Sequence, residues 1–392
     1  MGLPLEGITV IDLSRLLPGP LCTLILADLG AEVIKIEDHM GGDYIRWVAP
    51  KMKHQNPTFY ALNRNKKSVR LNLRDEAGRE ILKKLIESAD VVMESFRPGV
   101  MERLGLGWNQ LKEINPRLVY CSLTGYGQDG PYRDLPGHDL NYLAVTGALS
   151  MMQTREGVPV LAGLPIADIG GGSLPAAVAV LAALYNVRAT GRGQCLDVSM
   201  VDGLGFFLSF AMTQYMADKN LPRILNDWIN GGYAFYNVYQ ASDGAYLALG
   251  CVEEKFWSNF CKVIKREDLI PEMFADEPRQ SEIIEEIAGV ILNKSSSEWL
   301  NIFRDIDVCI TKVNNLEEAL NDPHVLQRQL WYMQEYPSEG TIPQMSFPVK
   351  FSTNQPGWQS PPPQLGEHTQ EVLTGIGYSL QEIEFLTRNK VI

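Results

Sequence analysis

Along the first half of the chain the hydrophobic pattern switches repeatedly between two periods. Short apolar, β-branched runs read as strands at Ile8–Leu13, Glu32–Glu37, Asp90–Met93, Leu118–Leu123 and Gln194–Ser199, and Ser68–Leu73 alternates polar with apolar positions. Between them apolar residues recur at helical spacing: from Pro20 to Leu29, across Asp75–Ser88 (Ile81, Leu82, Leu85, Ile86), over Asp168–Ala189, and over Met200–Met216. Such alternation predicts crossover units and a largely parallel sheet, an α/β architecture. The pattern then changes. Phe235–Tyr239 and Tyr246–Gly250 flank Ser242-Asp243-Gly244 as a hairpin, and acidic amphipathic helices follow at Ser281–Leu292 and Ser297–Ile306. From about Gln334 the chain is rich in proline and glycine up to Pro361-Pro362-Pro363, and it closes on a short helix, Ser379–Arg388. The expected organisation is a large α/β domain over 1–220, a smaller α+β domain over 221–330, and a return segment over 331–392 that packs on the large domain.

Length and composition agree with this division. The chain has 392 residues, 45% hydrophobic and 21% charged, enough for two or three domains at about 150 residues each. Its net charge of −12 argues against a nucleic-acid partner or an anionic membrane surface. Six scattered cysteines without a CxxC pair argue against a disulfide framework and a metal site, and fit a reducing compartment. Met1–Gly7 lacks the basic start and apolar run of a secretory signal. The most apolar stretch, Leu174–Tyr185, is shorter than the roughly 20 residues a bilayer requires, and reads as a buried core helix. The expectation is a cytoplasmic protein.

Several familiar motifs are missing: GxGxxG after the first strand, GxxxxGK[ST], GxSxG and HExxH. What remains is a set of local constellations, each with a plain structural alternative. Residues 64–74 carry Arg64, Lys66, Lys67, Arg70 and Arg74, either an anion cradle or a charged strand edge that discourages sheet pairing. Ser95-Phe96-Arg97-Pro98-Gly99 follows a strand and precedes a helix, a place suited to a phosphate or a stacked adenine, or to a surface salt bridge. His138, between Gly137 and Asp139, is a candidate general acid/base or a helix-start residue. Asp168, ahead of Gly170-Gly171-Gly172, is a carboxylate beside a glycine floor or an N-cap. Glu253 follows an apolar strand and has the weakest local case.

Together these segments resemble the family III CoA-transferases, a group spanning CoA-transferases and α-methylacyl-CoA racemases. The resemblance rests on LEGITVIDLSRLLPGPLCTLILADLGAEVIKIE, LNRNKKSVRLNL, ADVVMESFRPGVMERLGLGWNQLKEINPRLVYCSLTGYGQDGPY, GHDLNYLAVTGALS and ADIGGGSLPAAVAVLAALYNVRATGRGQCLDVSMVDG, and covers nearly the whole chain. It implies a Rossmann-like large domain, an interlocked homodimer, and coenzyme A as a thioester substrate with no permanently bound cofactor. It also implies that Asp168 is catalytic, with His138 of GHDLNY and Glu253 of CVEEKF as the further catalytic groups of the racemase branch. Formyl-CoA-transferase-like members have a glycine-rich loop where CVEEKF stands and a glutamine where Leu17 stands. Asp38-His39 departs from the arginine that family members commonly carry after the second strand. That shifts the expected CoA contacts to Arg64, Lys66, Lys67, Phe96, Arg97 and Arg103, with Gly170 and Gly171 against the thioester or enolate. Three activities follow as expectations: racemisation of 2-methylacyl-CoA thioesters by 1,1-proton transfer, CoA transfer to a carboxylic acid through an Asp168 anhydride, or CoA binding without turnover.

Overall fold

The computed structural model describes residues 2–154, 156–219, 229–336 and 339–392. The chain divides into two compact units. The larger comprises Met1–Thr146, Gly163–Phe206 and His324–Ile392; the smaller comprises Gly147–Ala162 and Phe207–Pro323. The boundary after the last crossover therefore falls at Phe206, inside the expected large domain. The smaller unit also takes the excursion 147–162, which no change in periodicity marks.

The larger unit is built on six parallel strands: β1 (Thr9–Asp12), β2 (Glu32–Asp38), β3 (Lys66–Leu71), β4 (Val91–Glu94), β5 (Val119–Thr124) and β6 (Gln194–Ser199). Their order is β3-β2-β1-β4-β5-β6, each pair parallel. Because helices cover both faces of such a sheet, its central strands are apolar throughout rather than alternating: β4 and β5 are buried at every position. Crossover helices form where capping and periodicity coincide. Asp75 accepts the Ala77 amide at the start of Glu76–Ile86, and that helix buries Ile81, Leu82, Leu85 and Ile86. These side chains join Ile11, Ile34, Val69, Val92 and Tyr120 of the strands in one core cluster.

The expected helix over Asp168–Ala189 is present and longer. Seven residues, Ala167–Ser173, form π-helical turns that run directly into the α-helix Leu174–Thr190. By length and composition the continuous run Ala167–Thr190 could cross a membrane. Ala176, Ala177, Val180, Ala183 and Val187 are its buried α-helical positions, whereas Leu174, Val178 and Tyr185 stay exposed. The stretch Leu174–Tyr185 is thus half buried, not fully so. Beyond β6 the expected single helix is two, Met200–Gly203 and Gly205–Asp218.

The C-terminal segment returns to the larger unit and adds Val372, Leu373, Ile383, Leu386 and Val391 to its core. It also covers the outer edge of β3: His368 N donates to Ser68 O, and Asn72 N to Val391 O. Within it lies a hairpin the sequence pattern did not suggest, β7 (Trp331–Tyr336) with β8 (Gly340–Met345), whose Tyr336 and Ile342 pack on Tyr60. In the smaller unit the expected hairpin is present as Tyr236–Gln240 and Tyr246–Gly250, extended by Ile310–Lys312 into a three-stranded antiparallel sheet. Phe235, Trp257, Phe260, Ile283, Ile287, Trp299 and Phe303 fill the core behind it.

Candidate active site

In an open parallel sheet a ligand crevice forms beyond the carboxyl ends of the strands, where neighbouring connections leave in opposite directions. Here that point lies between β1 and β4. A cavity of about 420 Å³ opens there, walled by Arg15, Leu16 and Tyr44, by Phe96 and Arg97, by Tyr126 and Arg133, and by His138, Tyr142 and Asp168. An adjoining cavity of about 340 Å³ lies over the ends of β1, β2 and β3; it shares Leu13, Arg15 and Phe96 and adds Asp38, Asn72 and Arg74. A larger cavity, about 660 Å³, lies in the smaller unit along its sheet, lined by groups such as Val238, Ala248, Ile310 and Cys309. It lacks any acid–base pair, so the chemistry belongs to the crevice.

Three contacts position the titrating groups of that crevice. His138 precedes the helix Asp139–Thr146: its amide donates to Asn141 Oδ1 at 3.0 Å, and its carbonyl accepts the Asn141 amide at 2.8 Å. The Tyr142 hydroxyl donates to Gly137 O at 2.6 Å and holds the preceding turn. A Cβ at Gly137 would stand 2.7 Å from the Tyr142 ring, so only glycine permits that approach. The third contact ties Asp168 to the neighbour of His138: Asp139 Oδ1 accepts the Asp168 amide at 2.9 Å. The acid beside His138 thereby anchors the first π-helical turn.

The Asp168 carboxyl is pushed up to about 6, first by burial and then by the Asp139 charge, with His138 pulling it back down. An acid titrating there is available in both protonation states near neutrality, as proton transfer requires. The glycines after it serve packing. A Cβ at Gly171 would lie 2.4 Å from Met200 O, and one at Gly203 would lie 2.0 Å from Gly171 O. Of this segment Asp168 is the residue that lines the cavity, and Gly170 and Gly171 follow it in the π-helical turns.

The basic run also takes a different role from the one expected. Arg64 is buried, its guanidinium donating from Nε to Asp28 Oδ1 at 2.9 Å. Lys66 is buried 3.3 Å from Asp12 and donates to Pro20 O, Thr23 Oγ1 and Asn63 Oδ1. Lys67 lies between Glu32 and Glu371, 2.7 Å from each. Arg64 and Lys66 thus have their charges met inside the chain, and Lys67, partly exposed, is shared between two carboxylates. Phe96 and Arg97 do face the crevice, and the Arg15 guanidinium lies 5.5 Å from the Phe96 ring centre. Arg103 is just outside the lining, beside Gly99 with Arg133. Among the described residues no carboxylate pairs with Arg15, Arg74, Arg97, Arg103 or Arg133. Arg15 and Arg133 were missed. The signal for Arg15 was its place directly after β1, on the binding edge of a parallel sheet.

Glu253 is in the smaller unit, at the residue before the helix Glu254–Val263, and its side chain makes no capping hydrogen bond. Among the described residues no group of three or more His, Cys, Asp or Glu side chains is arranged to hold a metal, and all six cysteines are free.

Comparison with known proteins adds a family to this geometry. The family model described as CoA-transferase family III matches residues 5–369. The chain is 35% identical to human alpha-methylacyl-CoA racemase over 391 residues, 99% of this chain and 97% of that one. It is 32% identical to human succinyl-CoA:glutarate CoA-transferase, covering 94% of this chain and 85% of the relative. Among solved structures, a CAIB/BAIF family protein from Brucella suis superposes with a TM-score of 0.83 at 28% identity, over 96% of this chain and all of the other.

Proposed function

The chain belongs to CoA-transferase family III, and from that premise we propose that it racemises 2-methylacyl-CoA thioesters. The observation that carries the reading is the pair His138 and Asp168 on one cavity, with the aspartic acid raised to about 6. One of the two groups removes the α-proton. The C–H electron pair becomes the carbon–carbon double bond of an enolate, and the carbonyl π pair moves onto the thioester oxygen. The other group delivers a proton to the opposite face, the enolate pair forms the new C–H bond, and the substrate leaves with inverted configuration and unchanged composition. Each positioned acid or base contributes about 10²–10⁴-fold. Glu253 enters the proposal through the family resemblance alone.

The unpaired arginines supply the attraction for a polyanionic substrate: Arg15, Arg97 and Arg133 in the crevice, Arg74 in the adjoining cavity. A homodimer is part of the same proposal. On helix Gly205–Asp218 none of residues 205–217 is buried, and Phe207, Phe210, Met212 and Met216 are exposed. So many exposed large apolar side chains on one helix favour a covering partner.

The transferase alternative has one observation in its favour. The Asp168 carboxyl faces the cavity, where it could attack an acyl-CoA, expel CoA thiolate and hold the acyl group as an anhydride. A single experiment separates the two. A pure epimer of a 2-methylacyl-CoA is incubated in D₂O without any free acid, with the wild type and with His138→Ala, Asp168→Ala and Glu253→Ala. Deuterium at the α-carbon with loss of optical purity, abolished in the first two variants, is the expected result. No exchange, but CoA transfer once a carboxylic acid is added, overturns racemisation in favour of transfer.

A further inference from the structure

Leu16 has a left-handed backbone, φ 64°, in the wall of the crevice. Leucine rarely adopts that conformation, since its Cβ crowds the backbone, so something must hold it there. The holder is a buried carboxylate 27 residues further along. Asp43 accepts the Leu16 amide at 3.2 and 3.3 Å through its two oxygens. The same carboxylate accepts the Ile45 amide at 3.1 Å, which caps the turn Tyr44–Arg46. Lys35, fully buried, sits 3.1 Å from Asp43 and donates to Ser14 O at 2.8 Å. One ion pair thus fixes two loops: the turn that aims Arg15 and the turn that aims Tyr44, both into the same cavity.

We propose that Asp43, oriented by Lys35, is a positioning residue for the thioester site, holding the Arg15–Leu16 turn in the strained conformation that presents Arg15 to the substrate. The inference rests on the reading of the crevice as a CoA-thioester site. Asp43 itself is buried and absent from the cavity lining, so it acts through its neighbours. Its loss therefore weakens binding and leaves the proton-transfer groups in place.

The test uses the full chain, acetyl-CoA as the binding probe and the D₂O exchange rate at saturation as the catalytic readout. Asp43→Asn keeps the shape and one acceptor but removes the charge that holds Lys35 and the Leu16 amide. Affinity is expected to fall roughly tenfold, with the saturated rate within about threefold of wild type. The decisive variant adds Leu16→Gly. Glycine adopts φ near +64° without steric cost, so the double variant is expected to recover most of the lost affinity. Asp43→Asn with unchanged affinity, a loss of saturated rate rather than affinity, or a double variant no better than the single overturns the proposal. A measurement on the wild type stands apart from any folding defect: the Leu16 amide, although in a loop, is expected to exchange its hydrogen slowly, and fast exchange overturns the clamp. A wild type that binds no acetyl-CoA overturns the reading of the site itself. A wild type that binds while Asp43→Asn changes nothing overturns the clamp alone.

Discussion

Two charged regions of the larger unit, separated only by the β1–helix turn, contrast in how their charges are used. Below the turn Asp12 is fully buried, and its carboxyl is held at about 2 even though burial pushes it up, because Lys35, Lys66 and the hydroxyls of Ser14 and Thr23 outweigh that push. Above it, in the crevice, Asp168 is raised to about 6 by burial and then by the like charge of Asp139, with only His138 opposing. The cations divide in the same way: Lys66 and Arg64 are consumed by Asp12 and Asp28, while Arg15, Arg97 and Arg133 have no carboxylate partner among the described residues. Charges whose partners lie within the chain support the fold; charges without partners await a substrate. A local cluster of basic residues does not reveal which kind it is, and the neighbours across the sheet do.

The contrast can be broken from either side. The largest effect is expected below the turn. Arg64→Ala takes the guanidinium from buried Asp28 and costs about 3–5 kcal/mol in chemical denaturation, and Lys66→Met, which leaves Asp12 with Lys35 as its one cation, costs about 2–4 kcal/mol. A loss under about 1 kcal/mol would return these residues to the surface and to the substrate. Next is Asp168→Asn. Because the folded pKa of Asp168 lies above its ordinary value of 3.8, the native state holds the proton more tightly, and wild-type stability falls as pH rises from about 4 to 6. The variant lacks that penalty. Allowing for partial solvent exposure, it is expected to be about 1–2 kcal/mol more stable than wild type above pH 6 and equal to it near pH 4, while inactive in exchange. Equal stability at both pH values would remove the strain from Asp168.

Arg97→Ala and Arg133→Ala reverse the pattern of Lys66. Each is expected to weaken acetyl-CoA binding about tenfold in calorimetry, with stability unchanged within about 0.5 kcal/mol. Wild-type affinity should fall steeply with added salt and the variants' less so. The smallest effect is at Lys67, whose half-exposed pairs with Glu32 and Glu371 are worth about 0.5 kcal/mol or less. Lys67→Ala should leave binding untouched, and a tenfold loss of affinity there would place the anion cradle back on β3.

Strands were the most legible part of the sequence. The central strands carry short apolar runs bounded by polar or turn residues, and the buried middle of a parallel sheet asks for little else. The hairpin Trp331–Met345 was hidden because Gln334, Glu335, Gly340 and Pro343 break any alternation, and because its inner face meets Tyr60, nearly three hundred residues earlier. His138, Asp168, Phe96 and Arg97 were legible from their places after strands and at helix starts. The misjudged residues all depend on long-range contacts. Arg64 meets Asp28 and Lys66 meets Asp12 across sequence separations of 36 and 54, which no local pattern encodes. Asp139 looked like a simple helix-start acid, and its bond to the Asp168 amide, 29 residues away, exists only in the folded chain.

The covering of β3 by the C-terminal segment has a consequence in time. The amide of Ser68 is satisfied by His368 Nδ1, a partner 300 residues later in the chain. At a synthesis rate of about 5–20 residues per second, β3 waits about 15–60 s for its cover while the rest of the protein is made. During that interval it is an open sheet edge on an unfinished chain. Lys67 and Arg70, on the half-buried positions of that strand, put two like charges on the edge, which makes it a poor template for pairing with another strand. On Lys67 and Arg70 the charge matters most before the chain is finished, while Arg64 and Lys66 serve the folded state.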